Sequence, residues 1–151
     1  MHRRGVTLLE MIIVVSIVAL MAGLMYPSIS SGLEGIRLNS TTDEIVAFLN
    51  GAVERANRRS TPIEVTLLKT ENALVLRSTE PGFLRRLDLP AGIILERVLP
   101  EIPGNPPAPR AYMIYPGGSV PRIGVQIANP AGHCRLIRID PITGSPLVER
   151  F

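Results

Sequence analysis

The chain has few of the residues on which enzymes and metal proteins depend. Its 151 residues include one cysteine, two histidines and no tryptophan. The lone Cys134 excludes an internal disulfide and a multi-cysteine metal site, and two histidines exclude most histidine-based metal centres and triads. No pair of acidic residues has an obvious spacing for acid–base catalysis. We therefore predict that the protein is not an enzyme and binds no cofactor or metal.

Aromatic residues and excess charge are also scarce. Only 4% of the residues are aromatic although 46% are hydrophobic, so the apolar content is aliphatic. The net charge is +3, but Arg3 and Arg4 supply two of these charges, which leaves 14 basic against 13 acidic residues in the rest of the chain. These totals do not indicate a generally basic nucleic-acid-binding surface.

The longest uncharged segment comprises the 23 residues 11–33. A bilayer core about 30 Å thick needs roughly 20 apolar helical residues, so this segment predicts a single membrane span. Arg3 and Arg4 precede it, and the positive-inside rule therefore predicts a cytoplasmic N-terminus. A cleaved secretory signal peptide is the alternative, but no Ala-x-Ala site follows the apolar segment and Glu10 interrupts it.

The N-terminal motif Arg3-Arg4-Gly5-Val6-Thr7-Leu8-Leu9-Glu10 leads directly into the apolar segment. This motif resembles the class III leader of type IV pilins and type II secretion pseudopilins. The resemblance implies that a prepilin peptidase cuts after Gly5 and that the new N-terminal residue, Val6, is methylated. Val6 departs from the phenylalanine usual in the family. Glu10 occupies the position of the family's characteristic glutamate, five residues into the mature chain.

Physical chemistry offers a role for Glu10 in assembly. After cleavage, the ammonium group of Val6 could pair with Glu10 of a neighbouring subunit. At about 4 Å and an effective dielectric constant near 20, the Coulomb energy is roughly 4 kcal/mol before desolvation is subtracted. Such a pair would set the axial register of packed helices. The alternative is a lone interfacial glutamate that extends toward the lipid headgroups.

Beyond the apolar segment, the pattern predicts a helix followed by strands. Apolar residues recur at three- and four-residue steps over 36–59, which is typical of an amphipathic helix. Pro27 removes a helical hydrogen bond and predicts a kink or a local break over 25–31. Five prolines over 100–109 predict a surface loop. β-branched and aliphatic runs predict strands at 63–68, 73–78, 83–87, 93–99, 111–115, 123–127 and 134–139.

The predicted fold class is α+β. A long N-terminal helix, one half transmembrane and one half amphipathic, would pack on a small antiparallel β-sheet head. We expect a leader peptide at residues 1–5 and a transmembrane helix with a flexible stalk at 6–35. A periplasmic head would follow at 36–151, with its helix at 36–59 and a β-rich part at 60–151.

The C-terminal third carries a second resemblance. Its motif comprises Tyr115-Pro116-Gly117-Gly118-Ser119, strands at 123–127 and 134–140, and Thr143-Gly144. It is similar to the end of the H-type minor pseudopilins of the general secretion pathway and of the FimT-like minor pilins. The resemblance implies a minor pseudopilin of a type II secretion system, located in the bacterial inner membrane. The implied partners are prepilin peptidase, other pseudopilins or pilins, membrane lipid and exported protein cargo.

The FimT-like alternative implies a role in pilus biogenesis or DNA uptake. Its DNA-binding residues would form a basic patch of Arg122, Arg135, Arg138 and Arg150. Arg135 and Arg138 differ by an odd number of positions, so on one strand they would face opposite sides. The interpretation as a structural filament component is therefore the preferred one.

Three local features are expected to be structural. Gly117-Gly118-Ser119 predicts a β-turn, because no Gly-Lys-Ser/Thr follows it as a phosphate loop would require. His133 and Cys134 are not expected to form a nucleophile pair, because adjacent residues of a strand point to opposite faces. Cys134 is expected to be a small buried hydrophobic side chain. Asp140 is expected to cap the turn at Thr143-Gly144.

Overall fold

The structure is a computed structural model that describes residues 7–102, 108–117 and 120–150, and the side chains of these residues except those of 24–31. Within these ranges it contains one helix, α1 (Leu8–Arg59), and eight strands. The chain divides into two compact units, Met1–Leu33 and Glu34–Phe151. The cleavage-site residues Gly5 and Val6 lie outside the described residues.

Helix α1 ends where the sequence predicts. Arg58 and Arg59 lie in its last turn, where positive charge interacts favourably with the helix dipole. Ser60 follows with a φ of 53°, a left-handed conformation that commonly ends helices.

Pro27 lies inside the bounds of α1, and residues 25–31 are helical. The helix is therefore continuous in secondary structure through Pro27, and a kink there stays a prediction. The physical reason is that a proline removes only one hydrogen bond and its steric conflict is confined to the preceding turn, so that a helix can continue past it.

The strands form two antiparallel sheets rather than the one small sheet that was expected. The first sheet has the order β3-β2-β1-β5 and the second has the order β4-β6-β7-β8. Seven strands lie within one residue of their predicted positions. Their bounds are Ile63–Leu68 (β1), Ala73–Ser78 (β2), Leu84–Asp88 (β3), Ile94–Leu99 (β4), Arg110–Ile114 (β5), Gly124–Ala128 (β6) and Cys134–Ile139 (β7).

The eighth strand, β8 (Pro146–Arg150), was not predicted. It lies at the edge of the second sheet and pairs only with β7. None of its residues is fully buried, and Leu147 and Val148 are both exposed. An edge strand of this kind has no alternation of buried and exposed residues that a sequence pattern could reveal. Its first residue is a proline, which argues against a strand when only the sequence is considered.

One hydrophobic core joins the second half of α1 to both sheets. The helix contributes a stripe of fully buried side chains at the predicted spacing, namely Leu38, Ile45, Leu49, Ala52 and Ala56. Alternate residues of the strands complete this core, including Val65 and Leu74 from the first sheet and Val125 and Ile137 from the second. The predicted α+β arrangement, an N-terminal helix followed by antiparallel sheets, is confirmed.

Polar side chains link the first sheet to strand β4. Asn72, at a φ of 53° in the turn between β1 and β2, donates from Nδ2 to the Ile93 carbonyl at 2.7 Å. Its Oδ1 accepts the Leu95 N–H, also at 2.7 Å. At the other end of β4, the Tyr112 hydroxyl donates to the Leu99 carbonyl at 3.3 Å. Both ends of β4 are thereby held against the first sheet.

Gly124 supports this packing because it has no side chain. A Cβ at this buried position would lie 2.9 Å from Leu99 Cβ. We predict that Gly124→Ala destabilises the protein by about 1–3 kcal/mol through overpacking, measured as a lower thermal unfolding midpoint of the protein in detergent.

Gly51→Ala is the matched control, since a Cβ there meets nothing within 4 Å and the residue lies inside α1. Alanine is the better helix former by up to about 1 kcal/mol, so the midpoint should rise. An unchanged midpoint in Gly124→Ala would contradict the packing described here.

Candidate functional site

The first turn of α1 has a capped start that contains Glu10. The Glu10 N–H donates to Thr7 Oγ1 at 3.3 Å, and the Met11 N–H donates to the Thr7 carbonyl at 3.2 Å. Thr7 is therefore the N-cap, and the spacing Thr7-x-x-Glu10 is that of a capping box. The sequence interpretation missed this local role, although the spacing itself was the signal. The carboxylate of Glu10 lies in the first turn, where the helix dipole favours negative charge.

Apolar side chains surround the helix after this turn. Every large apolar side chain from Leu8 to Met21 is at least half exposed. Successive residues turn by about 100°, so these side chains cover all sides of the helix. The hydroxyl of Ser16 donates to the Ile12 carbonyl at 2.7 Å, which satisfies it within the helix. A helix that is apolar on every side requires cover by lipid or by other helices.

The predicted membrane span includes residues 24–31, whose side chains are outside the description. Over the residues described, none of the helical structure reaches both the length and the mean hydropathy of a membrane span.

A groove of about 530 Å³ crosses one end of the second sheet. Its floor is a row of residues that strand pairing places side by side, namely Leu99, Gly124, Arg138 and Leu147. This row lies on the face opposite to α1, because the alternate residues Val125 and Ile137 of the same strands are in the core. Arg122, Ile139 and Pro141 complete much of the wall.

Three of the four charged side chains in the groove have partners. Arg138 Nη1 lies 3.6 Å from Glu149 Oε1, and both side chains are about half exposed. Asp140 accepts the Ile142 N–H at 2.9 Å and the Thr143 hydroxyl at 3.0 Å. Arg122 makes no ion pair among the residues described. Arg122 is therefore the arginine of the groove for which the described residues supply no ion pair.

The four arginines of the expected basic patch are divided between two faces of the second sheet. Arg122 and Arg138 both line the groove. Arg135 is paired in register with Arg150, and it donates to Asn39 Oδ1 on α1 at 3.3 Å. The prediction that Arg135 and Arg138 face opposite sides is confirmed, and the structure does not assemble the four residues into one patch.

The remaining local predictions have different outcomes. Asp140 caps its turn as predicted, and its carbonyl also accepts the Gly144 N–H at 2.8 Å. Cys134 is only partly buried, and its Sγ lies 3.5 Å from both Glu96 Oε2 and the Gly132 carbonyl. The prediction of a buried hydrophobic cysteine is therefore wrong, because Cys134 is on the outer face of the sheet beside polar groups.

The predicted glycine turn starts as expected. Gly117 has a φ of 62° and donates its N–H to Asn57 Oδ1 at 2.9 Å, while Gly118 and Ser119 lie outside the described residues. Within the ranges that the structure describes, no three His, Cys, Asp or Glu side chains are grouped so that they could hold a metal ion.

Comparison with known proteins identifies the N-terminal segment. Residues 1–26 match the family described as Prokaryotic N-terminal methylation motif, a type IV pilin-like prepilin signal. This signal implies processing by prepilin peptidase, pilin-like assembly and membrane anchoring of the N-terminus. No curated protein and no solved structure matches the chain. The match ends before the C-terminal residues that resemble H-type pseudopilins and FimT-like pilins, so the narrower assignment stays a prediction.

The turn at Asp140 predicts a pH effect on stability. The Ile142 N–H and then the Thr143 hydroxyl hold the pKa of Asp140 below its ordinary value of 3.8. The carboxylate therefore contributes stability that is fully present above pH 3.8 and is lost as the pH falls through the lower folded-state pKa. Asp140→Asn should lower the unfolding midpoint above pH 3.8 and reduce its further loss in acid.

Asp43→Asn changes an exposed carboxylate on α1 and serves as the matched control. The measurement is the thermal unfolding midpoint of each variant across an acidic pH series. If Asp140→Asn and Asp43→Asn gave the same pH profile, the stabilising role of the Asp140 turn would be refuted.

Proposed function

We propose that this protein is a minor pseudopilin of a type II secretion system. In this proposal, prepilin peptidase removes residues 1–5 and methylates Val6. The apolar half of α1 then anchors the protein in the bacterial inner membrane with the head in the periplasm. The protein acts by joining a pseudopilus that supports protein export, and its head contacts partner pseudopilins or exported cargo.

The observation that carries this proposal is the apolar surface of α1 over residues 8–21, which lies within the prepilin signal. Lipid is a suitable cover for such a helix before assembly, and the helices of other pilin-like subunits are a suitable cover afterwards. The second half of the same helix buries only one stripe in its own head. The first half of α1 is thus suited to an anchor that moves from lipid into a filament. Its second half belongs to the folded head.

Glu10 is the residue that we propose for setting the position of a subunit in the filament. Its carboxylate is exposed in the first helical turn, five residues into the mature chain that cleavage would create. The backbone N–H of Glu10 is already satisfied by Thr7. Within the described residues the carboxylate makes no ion pair, so it is open to the Val6 ammonium group of a neighbouring subunit, and removal of the side chain leaves the N-cap hydrogen bond in place.

The two candidate systems place different demands on the head. DNA uptake through the expected patch requires several arginines on one surface. The division of these arginines into two opposed pairs, with Arg138 beside Glu149, gives less support to the FimT-like alternative. Salt-dependent binding of DNA by the full chain would favour that alternative over the secretion role.

Cleavage after Gly5 can be tested by substitution. We predict that Gly5→Ala blocks prepilin peptidase, because the peptidase of this family cuts after glycine. Co-expression with the peptidase should then give an unshifted band on a gel, and mass spectrometry should find residues 1–5 still attached. Gly23→Ala, beyond the leader, is the control and should be processed normally. Release of residues 1–5 from Gly5→Ala would contradict the proposed cleavage site.

The assembly role of Glu10 predicts a selective defect. Glu10→Ala should insert into the membrane normally but should co-purify with partner pseudopilins at least about tenfold less, as expected if the pair contributes about 1.4 kcal/mol. The measurement is recovery of partner pseudopilins from detergent extracts of processed cells.

Thr7→Ala separates assembly from helix capping. This variant loses the N-cap hydrogen bond, at a cost of about 1 kcal/mol, but keeps the Glu10 carboxylate. It should co-purify with partners better than Glu10→Ala does. Normal co-purification of Glu10→Ala, or an equal defect in both variants, would remove the support for a specific charge pair.

A further inference from the structure

The groove on the second sheet has the dimensions of a short peptide site. Its floor crosses four strands from Leu99 on β4 to Leu147 on β8. Three interstrand spacings of about 4.8 Å give a length of about 14 Å, which matches about four residues of an extended chain at roughly 3.3 Å each. The volume of about 530 Å³ is also within the range of ligand sites, roughly 300–1,000 Å³.

The floor of the groove has an apolar part that the described residues leave exposed. Leu147 is 56% exposed, and Leu99 leans over Gly124 in the space where a side chain would otherwise stand. Ile139 lies at the edge of the same cavity. Aliphatic side chains of a bound segment would find hydrophobic contacts at both ends of this row.

The groove has two positive and two negative side chains, and Arg122 is the positive one that is open to a bound group. Asp140 is committed to its own turn, and Glu149 lies beside Arg138. Arg122 makes no ion pair within the described ranges, and its guanidinium is suited to a carboxylate. The complementary occupant therefore carries a negative charge between apolar groups.

The ion pair in the floor favours a peptide over an acyl chain. A hydrocarbon chain laid across Arg138 and Glu149 would remove water from both groups without replacing its hydrogen bonds. An extended peptide carries backbone N–H and C=O groups at each residue, and these can replace that water. The polar part of the floor is thus compatible with a protein segment.

We propose that this groove binds an extended segment of a partner protein in which an acidic side chain has an aliphatic side chain two positions before it and another two positions after it, so that all three face the groove. The carboxylate would pair with Arg122, and the aliphatic side chains would contact Leu99 and Leu147. This inference rests on the proposed function, since it specifies the chemistry by which the head recognises a partner pseudopilin or exported cargo.

The test uses the full processed chain in lipid nanodiscs with isotopically labelled Ile, Leu and Val methyl groups. The probes are the peptides Ac-VLDLV-NH2 and Ac-VLNLV-NH2, which differ only in the charge of the central residue, and sodium octanoate. NMR titration should show saturable shifts of the Leu99 and Leu147 methyls with the acidic peptide. The methyls of Leu67 and Leu74, in the core of the first sheet, should not shift and also report that the fold is intact.

The charge preference is tested by one substitution and its control. The neutral peptide should bind about tenfold more weakly than the acidic peptide, as expected for the loss of one charge-assisted hydrogen bond. Arg122→Gln should abolish this difference. Arg97→Gln, which changes an exposed arginine on the same face outside the groove, should preserve it.

Three results would overturn the inference. These are the absence of shifts up to the solubility limit of the acidic peptide, equal binding of the two peptides by the unmodified chain, and tighter binding of octanoate than of either peptide. The proposed function is tested separately, because the titration requires no assembly. If the protein co-purifies with pseudopilins but does not bind the peptides, only the proposed peptide site is refuted. If it binds the acidic peptide but does not co-purify with pseudopilins, only the assembly role is refuted.

Discussion

The burial of one stripe of α1 against both sheets is the interaction on which the head depends. Leu38, Ile45 and Leu49 are almost completely inaccessible to solvent, and each sheet contributes one face to the same core. Neither antiparallel sheet encloses a core alone. Because side chains alternate along a strand, fixing the inner face of each sheet also fixes its outer face. The groove and the partly buried Cys134 both lie on the outer face of the second sheet, so their positions follow from which residues of that sheet pack against α1.

The two halves of helix α1 have different surroundings. Its second half buries one stripe within the head, whereas its first half has large apolar side chains exposed on every side. The first half therefore requires a partner that the described chain does not supply, and lipid or a bundle of similar helices meets that requirement. The N-cap at Thr7 satisfies a backbone N–H at the start of the helix, and the side chain of Glu10 is exposed beside it.

The outer face of the second sheet combines close packing of the elements beneath it with exposed side chains. Gly124 lets Leu99 lie close to β6, and the Asp140 turn holds the chain where β7 leads into β8. These packed elements hold a groove whose arginine and aliphatic side chains remain accessible. A recognition surface on a well-supported sheet loses little conformational entropy when a partner binds, which favours specific contacts over adaptable ones.

Local patterns in the sequence were sufficient to determine the prepilin signal, the end of α1 at Arg59, seven of the strands and the cap at Asp140. Each of these depends on residues within a few positions of one another, where periodicity, capping and turn chemistry act directly. The second sheet, the edge strand β8, the division of the arginines between two faces and the groove were decided only by tertiary structure. The reason is that strand register brings Leu99, Gly124, Arg138 and Leu147 into one row although they are far apart in the chain. No local pattern specifies that pairing, because it is selected by the burial of the opposite face in a shared core.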